Sequence, residues 1–205
     1  MKKNKLLLLL IVLLTTVSLT SCLGDGDDSG RPQLPTKEER DAAFNVMKGN
    51  YQGKLICFSR NQQTGGWEKK DSTDIHWEMT SDTCLLVKQF PTKYLAKSVK
   101  NASLKQAIEA LPAQDLKFKF SIYWAKPTAT GFYVVPLLAE LGNLTYDGAS
   151  HRIAVRFIWN STVRGLFDPS TKRMAAQFIE NGIYVDNALK DDVYFDGNIY
   201  QVRTK

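Results

Sequence analysis

Between residues 116 and 124 apolar and polar side chains alternate one for one. Leu116, Phe118, Phe120, Ile122 and Trp124 interleave with Lys117, Lys119, Ser121 and Tyr123. A repeat of two belongs to an extended strand, whose successive side chains point to opposite faces, and it does not fit the 3.6-residue turn of a helix. The same rhythm returns at Ile75, Trp77 and Met79, and again at Ile153, Val155, Phe157 and Trp159. Strand-length apolar stretches also occur at residues 54–59, 84–90, 132–141, 174–185 and 193–202, separated by turn signals such as Gly65-Gly66 and Asp147-Gly148. Pro136 marks an edge or bulge, because it cannot donate to a ladder. Asp196-Gly197 marks a bend or hairpin turn inside the last stretch. Eight or nine short strands of this kind predict a mainly β chain, folded as an antiparallel barrel or sandwich.

Two stretches break the rhythm. Thr36-Lys37-Glu38-Glu39 has the form of a capping box, and Ala43, Phe44 and Met47 follow at helical spacing, so one short helix is expected. Residues 91–111 read as a helical insertion between strands. Pro91 suits a first turn, Tyr94, Leu95 and Val99 share a face, and Leu104, Ile108 and Leu111 repeat the period until Pro112 ends it.

Residues 1–21 have the composition of an export signal: Lys2, Lys3 and Lys5, then an unbroken apolar run from Leu6 to Leu14, then small and polar residues. The run is too short to span a bilayer, which takes roughly 20 residues. It closes on Leu19-Thr20-Ser21-Cys22, which resembles the lipobox of bacterial lipoproteins. That resemblance implies cleavage before Cys22 and acylation of its thiol and new amine; the alternative is an ordinary signal peptide with an incidental cysteine. Residues 22–35, containing Asp25, Asp27, Asp28 and several glycines, are too polar to fold alone and read as a tether. The acidic run after Cys22 also resembles the surface-export signal of Bacteroides-type lipoproteins, with a solvated spacer as the alternative. Residues 36–205 then form one domain. The expected location is the outer membrane, on the periplasmic or the external face.

The net charge of +6 does not imply a polyanion partner. Three of the basic residues lie in the export signal, and their removal leaves 24 basic against 21 acidic side chains. Nucleic acid is therefore not an expected partner.

The succession of lipobox, acidic tether, Gly49-x-Tyr51 leading into the first long strand, and Phe90-Pro91 with helical residues up to Leu111 resembles a family of Bacteroides-type lipoproteins. That family has no assigned function, and its members look lipocalin- or calycin-like. The resemblance implies a lipocalin-like β domain and transfers no catalytic residue. Gly49-x-Tyr51 stands where true lipocalins have Gly-x-Trp.

Little in the chain points to catalysis. His76 and His151 have no ligand partner at metal-binding spacing, and no nucleophile elbow, zinc-protease, phosphate-loop or dinucleotide motif occurs, so no catalytic residue, metal or cofactor is assigned. Besides Cys22 there are Cys57 and Cys84, which form either a disulfide or two buried thiols. Asp71-Ser72-Thr73 resembles the O-glycosylation motif of Bacteroides-type exported proteins, with Ser72 as acceptor. Trp67, Trp77, Trp124 and Trp159 are candidate ligand-binding aromatics, against the alternative that they fill the core. Trp67, beside Gly65-Gly66, is the best placed for an exposed platform. The expected role is a lipid-anchored, non-enzymatic domain that binds a small apolar ligand, a glycan or an envelope protein. The alternatives are a hydrolase acting on the envelope or on glycans, and a structural accessory of the outer membrane.

Overall fold

Every strand pairing is antiparallel, and following the pairings from neighbour to neighbour leads back to the start. The computed structural model describes residues 33–61, 63–81, 83–136, 138–158, 164–194 and 197–205. Within the unit Leu34–Lys205, a first helix α1 (Lys37–Met47) precedes β1 (Gly49–Arg60), β2 (Trp67–Ser81) and β3 (Cys84–Phe90). A 3-10 segment (Thr92–Ser98) and helix α2 (Ala102–Glu109) follow. Then come β4 (Gln114–Lys126), β5 (Ala129–Pro136), β6 (Ala139–Tyr146), β7 (Ala149–Ile158), β8 (Arg164–Asp168) and β9 (Arg173–Val185). A two-residue β10 (Ala188–Leu189), a 3-10 turn (Asp191–Val193) and β11 (Ile199–Thr204) end the chain.

The ring runs β11-β1-β2-β3-β4-β5-β8-β9, and β9 closes it by pairing back onto β11, with Tyr200 opposite Phe178. This is a closed eight-strand barrel, which settles the choice between barrel and sandwich. Two of its staves are interrupted. β9 pairs with β8 through residues 173–176 and with β7 through residues 179–185, so β7 and β8 follow one another along the same edge. β5 and β6 do likewise, pairing with β8 and β7 respectively, and the break between them comes just after Pro136, where the sequence places an edge or bulge. Sequence order is thus preserved around the barrel, as an up-and-down meander. Residues 193–202 do not form one strand; a 3-10 turn precedes β11, and Asp196 lies outside the described residues.

Alternation decides what faces inward. Leu116, Phe118, Phe120 and Ile122 are buried while Lys117, Lys119 and Ser121 are exposed. An apolar lumen and a polar outer wall are the reverse of a membrane-spanning barrel, whose apolar band faces lipid. Aromatic side chains fill the lumen. Phe118 and Phe178 lie 4.6 Å apart between ring centres, with Phe157, Phe90 and Tyr200 against them. Packing is close enough that Gly165 has no room for a side chain: a Cβ there would fall 2.0 Å from the Phe132 ring.

Among the described residues, helical segments cover both barrel ends. At one, α1 begins with the capping box expected at Thr36, whose hydroxyl accepts from Glu39 N while Glu39 Oε2 accepts from Thr36 N at 2.8 Å. Phe44 packs on Phe120 at 6.1 Å, and Met47 is fully buried. The Tyr51 hydroxyl donates to the Met47 carbonyl, and its ring stacks on Trp77 at 5.8 Å. At the other end the insertion forms a cap. Leu104 and Ile108 are fully buried as their spacing predicts, and α2 lies against β6, covering an edge that would otherwise be open. Asn101 caps α2 by accepting from Leu104 N at 2.9 Å and donates to Asp147 in the β6–β7 turn at 2.7 Å.

Candidate functional site

The tryptophans divide between inside and outside. Trp77 is fully buried, and its indole N–H points at Met174 Sδ, 3.3 Å away. It packs inside the barrel, as the alternative of a core-filling side chain has it. Trp124 leaves the inward register because Tyr123 is an extra residue in β4, between the pairs Ile122–Phe132 and Trp124–Gly131. The bulge lays Tyr123 over Gly131, stacks it on Tyr133 at 4.3 Å, and leaves Trp124 half-buried. Trp159 and Cys22 lie outside the described residues. Trp67 is 46% exposed at the start of β2. Its loop is organised by Asn61, whose side-chain oxygen accepts from Gln63 N at 2.8 Å and Thr64 N at 3.1 Å, and whose backbone bonds to Gly65 and Gly66. An indole on an ordered loop is a ready contact surface, since little freedom is lost when it is covered.

The two cysteines are free. Cys57 pairs with Asp71 and Cys84 with Ser81, ten positions apart along β2, so they sit near opposite barrel ends. At about 3.3 Å per residue the separation is roughly 30 Å, against the Cα distance of about 4.4–6.8 Å that a disulfide requires. Of the two alternatives the pair is therefore two free thiols, and β2 is what keeps them apart. Ser72 is exposed on the outer wall of β2. His76 faces solvent, and His151 Nδ1 lies 2.7 Å from Asp186.

One constellation escaped the sequence reading. Glu180 on β9 is fully buried, under the cap and among side chains from three other elements. Ser98, from the 3-10 segment, hydrogen-bonds to its Oε1. Tyr200 of β11 donates to Oε2 at 2.6 Å, and Asn198 Nδ2 donates to the same oxygen at 3.3 Å. Ser59 of β1 completes the group by donating to Asn198 Oδ1 at 2.6 Å. Burial disfavours the charged carboxylate and outweighs these three hydrogen bonds, pushing the Glu180 pKa up to about 7. Burial and the neighbouring Glu180 also raise Tyr200 well above the usual phenol range, and burial raises the Cys57 thiol to about 11. A signal was present in the sequence. Met174, Ala176, Phe178 and Glu180 share the inward parity of β9, so a carboxylate stands where the pattern demands an apolar residue. The parity then flips. Asn181 and Gly182 together oppose Arg156, a bulge in which Gly182 has φ +132° and Arg156 Nε donates to Asn181 O at 2.9 Å.

On the outer surface, α1 and the β4–β5 turn enclose a groove of about 350 Å³, lined by Ala42, Ala43, Val46, Ala125, Pro127 and Pro169 and rimmed by Glu39, Lys126 and Thr130. Among the described residues no group of three or more His, Cys, Asp or Glu side chains is placed to hold a metal ion.

A family model described as a domain of unknown function (DUF4840) matches residues 46–185. No characterised protein and no solved structure is detectably similar to the chain.

Proposed function

The chain belongs to the DUF4840 family of domains of unknown function, and from that starting point we propose that it is a lipid-anchored envelope protein whose barrel binds a partner protein with its outer surface. The observation that carries this reading is the filled lumen. Phe118, Phe157, Phe178, Phe90 and Tyr200 occupy the space where a barrel carrier would hold its ligand, and both ends are covered. Binding is then left to exposed features, of which Trp67 on its Asn61-ordered loop is the foremost. Tryptophan is enriched among the residues that dominate protein interfaces.

The anchor is Cys22, supported by the lipobox-like Leu19-Thr20-Ser21-Cys22. Acylation there fixes the domain to the outer membrane, at the end of a tether of about a dozen residues reaching at most ~45 Å. The eight-strand meander also supports the calycin-like relationship that the sequence resembles. A small apolar ligand or a glycan is a weaker reading than a protein partner, because the lumen is full and Trp67 is a single platform. A hydrolase is weaker still: among the described residues, the cluster of acid and hydroxyl groups around Glu180 is buried beneath the cap.

Two measurements test this. Metabolic labelling with a palmitate analogue should mark the wild type and not Cys22→Ala; equal label in both removes the anchor. A photo-crosslinking side chain replacing Thr64, beside Trp67, should give a discrete protein adduct in intact envelopes that disappears with Trp67→Ala. One replacing Lys117, on the outer wall of β4, should give none. Adducts from both positions, or from neither, contradict the assignment of the surface.

A further inference from the structure

We propose that the cap formed by the 3-10 segment and α2 is a proton-operated cover, held on the barrel by neutral Glu180 and loosened when Glu180 ionises. The proposal stands on a count of hydrogens. Ser98 Oγ lies 3.0 Å from the Leu95 carbonyl as well as against Glu180 Oε1. Tyr200 OH lies 3.1 Å from the Tyr94 carbonyl and 2.6 Å from Glu180 Oε2. Carbonyl oxygens only accept, and each hydroxyl has one hydrogen to give. With Glu180 ionised, two hydroxyl hydrogens face four acceptors. With Glu180 protonated, a third hydrogen enters: Glu180 donates to Ser98, which donates to the Leu95 carbonyl, and Tyr200 can donate to the Tyr94 carbonyl because Asn198 Nδ2 donates to Glu180 Oε2.

Leu95, Tyr94 and Ser98 all belong to the cap, whereas Glu180 and Tyr200 belong to the barrel wall. Loss of the proton draws the Tyr200 hydroxyl to the carboxylate and away from the Tyr94 carbonyl, a bond between wall and cap, while the Ser98–Glu180 bond is kept. The loss also leaves a charge on a fully buried carboxylate, a cost that opening the cap relieves by hydration. Among the described residues, titratable and charged groups face Glu180 from β11, β1 and the cap. From β11 there is Tyr200 and from β1 Cys57, both shifted upward and uncharged at neutral pH. From the cap there are Tyr94, also raised by burial, and Lys97, which pairs with Asp71 of β2 at 3.3 Å. Asn198 and Ser59 do not titrate. The proton equilibrium falls to Glu180.

Linkage gives the sign and size. A carboxyl that binds its proton more tightly when covered makes opening more favourable as pH rises, about tenfold per unit, from its ordinary range up to its raised value and no further. The test is peptide-resolved hydrogen exchange on the full chain between pH 5 and 8.5, corrected for intrinsic exchange, with alkylation of Cys57 beneath the cap as a second reporter. Protection of residues 92–109 should fall about 40-fold between pH 5 and 7 and about a further twofold up to pH 8.5, while residues 118–134 stay protected. Glu180→Gln, which keeps a donor and an acceptor without a charge, should remove the pH dependence. Ser98→Ala should raise opening at pH 5. A change below threefold in the wild type, or an equal change in Glu180→Gln, overturns the proposal.

Discussion

The two ends of the barrel are closed in different currencies. At the α1 end the contacts are apolar: Phe44 on Phe120, Met47 in the core, and Tyr51 stacked on Trp77. At the cap end a carboxyl, a phenol, two hydroxyls and an amide meet around Glu180, and among the described residues no charged group is in hydrogen-bond contact with it. An apolar seal responds to lost volume and is indifferent to protons. A buried polar seal depends on every hydrogen being in place, because an unsatisfied group there costs its full desolvation. One end is therefore built to stay shut, and the other has a condition attached.

The largest expected effect is at the apolar end. Trp77→Ala removes the side chain that Tyr51 stacks on, and should cost about 3–5 kcal/mol by denaturant unfolding, equally at pH 5 and pH 8. Pronounced pH dependence of that loss would break the contrast between the ends. Next comes the titration of the cap end. Because the Glu180 pKa is raised from an ordinary 4.5 to about 7, the stability it contributes is complete below the lower value. It is lost as pH rises toward the upper one and is unchanged beyond. The loss amounts to about 3 kcal/mol, and Glu180→Gln should make that part of the stability profile flat. At acid pH the slope reverses, since Asp168, lowered to about 2 by Ser170 and Thr171, and other hydrogen-bonded surface aspartates must then be protonated.

Smaller effects refine the picture. Thr36→Ala removes one half of the capping box of α1 and should cost about 1 kcal/mol, read as a lower unfolding midpoint with unchanged slope. Trp67→Ala should change stability by less than ~0.5 kcal/mol, because the indole is exposed on its loop; a larger loss would mean that Trp67 is part of the fold and not a contact surface.

The contrast also explains what could be read in advance. Period-two alternation identified the inward set of β4 and β7, helical spacing identified Leu104 and Ile108, and the capping box located α1. Each of these is a local pattern. Closure of the barrel is not local. It depends on β11 lying beside β1, with Gly53 opposite Thr204, and alternation says only that each strand has one buried face. The bulges were hidden for the same reason: Tyr123 and the Asn181-Gly182 pair shift the register only against a particular partner strand, which is why Trp124 was assigned to the wrong face. Register also decides between a Cys57–Cys84 bridge and two free thiols, in favour of the thiols. Glu180 was visible as a charge in an apolar series, yet its partners Ser98, Asn198 and Ser59 come from sequence-distant elements that no pattern connects.

The filled lumen is the claim on which the proposed function rests, and titration of the full chain with a fluorescent fatty-acid analogue tests it most directly. The expected result is no saturable one-to-one uptake, or weak uptake abolished by Val46→Lys in the outer groove. Saturable uptake that survives Val46→Lys and quenches the emission of Trp77 would place a ligand inside the barrel and contradict it.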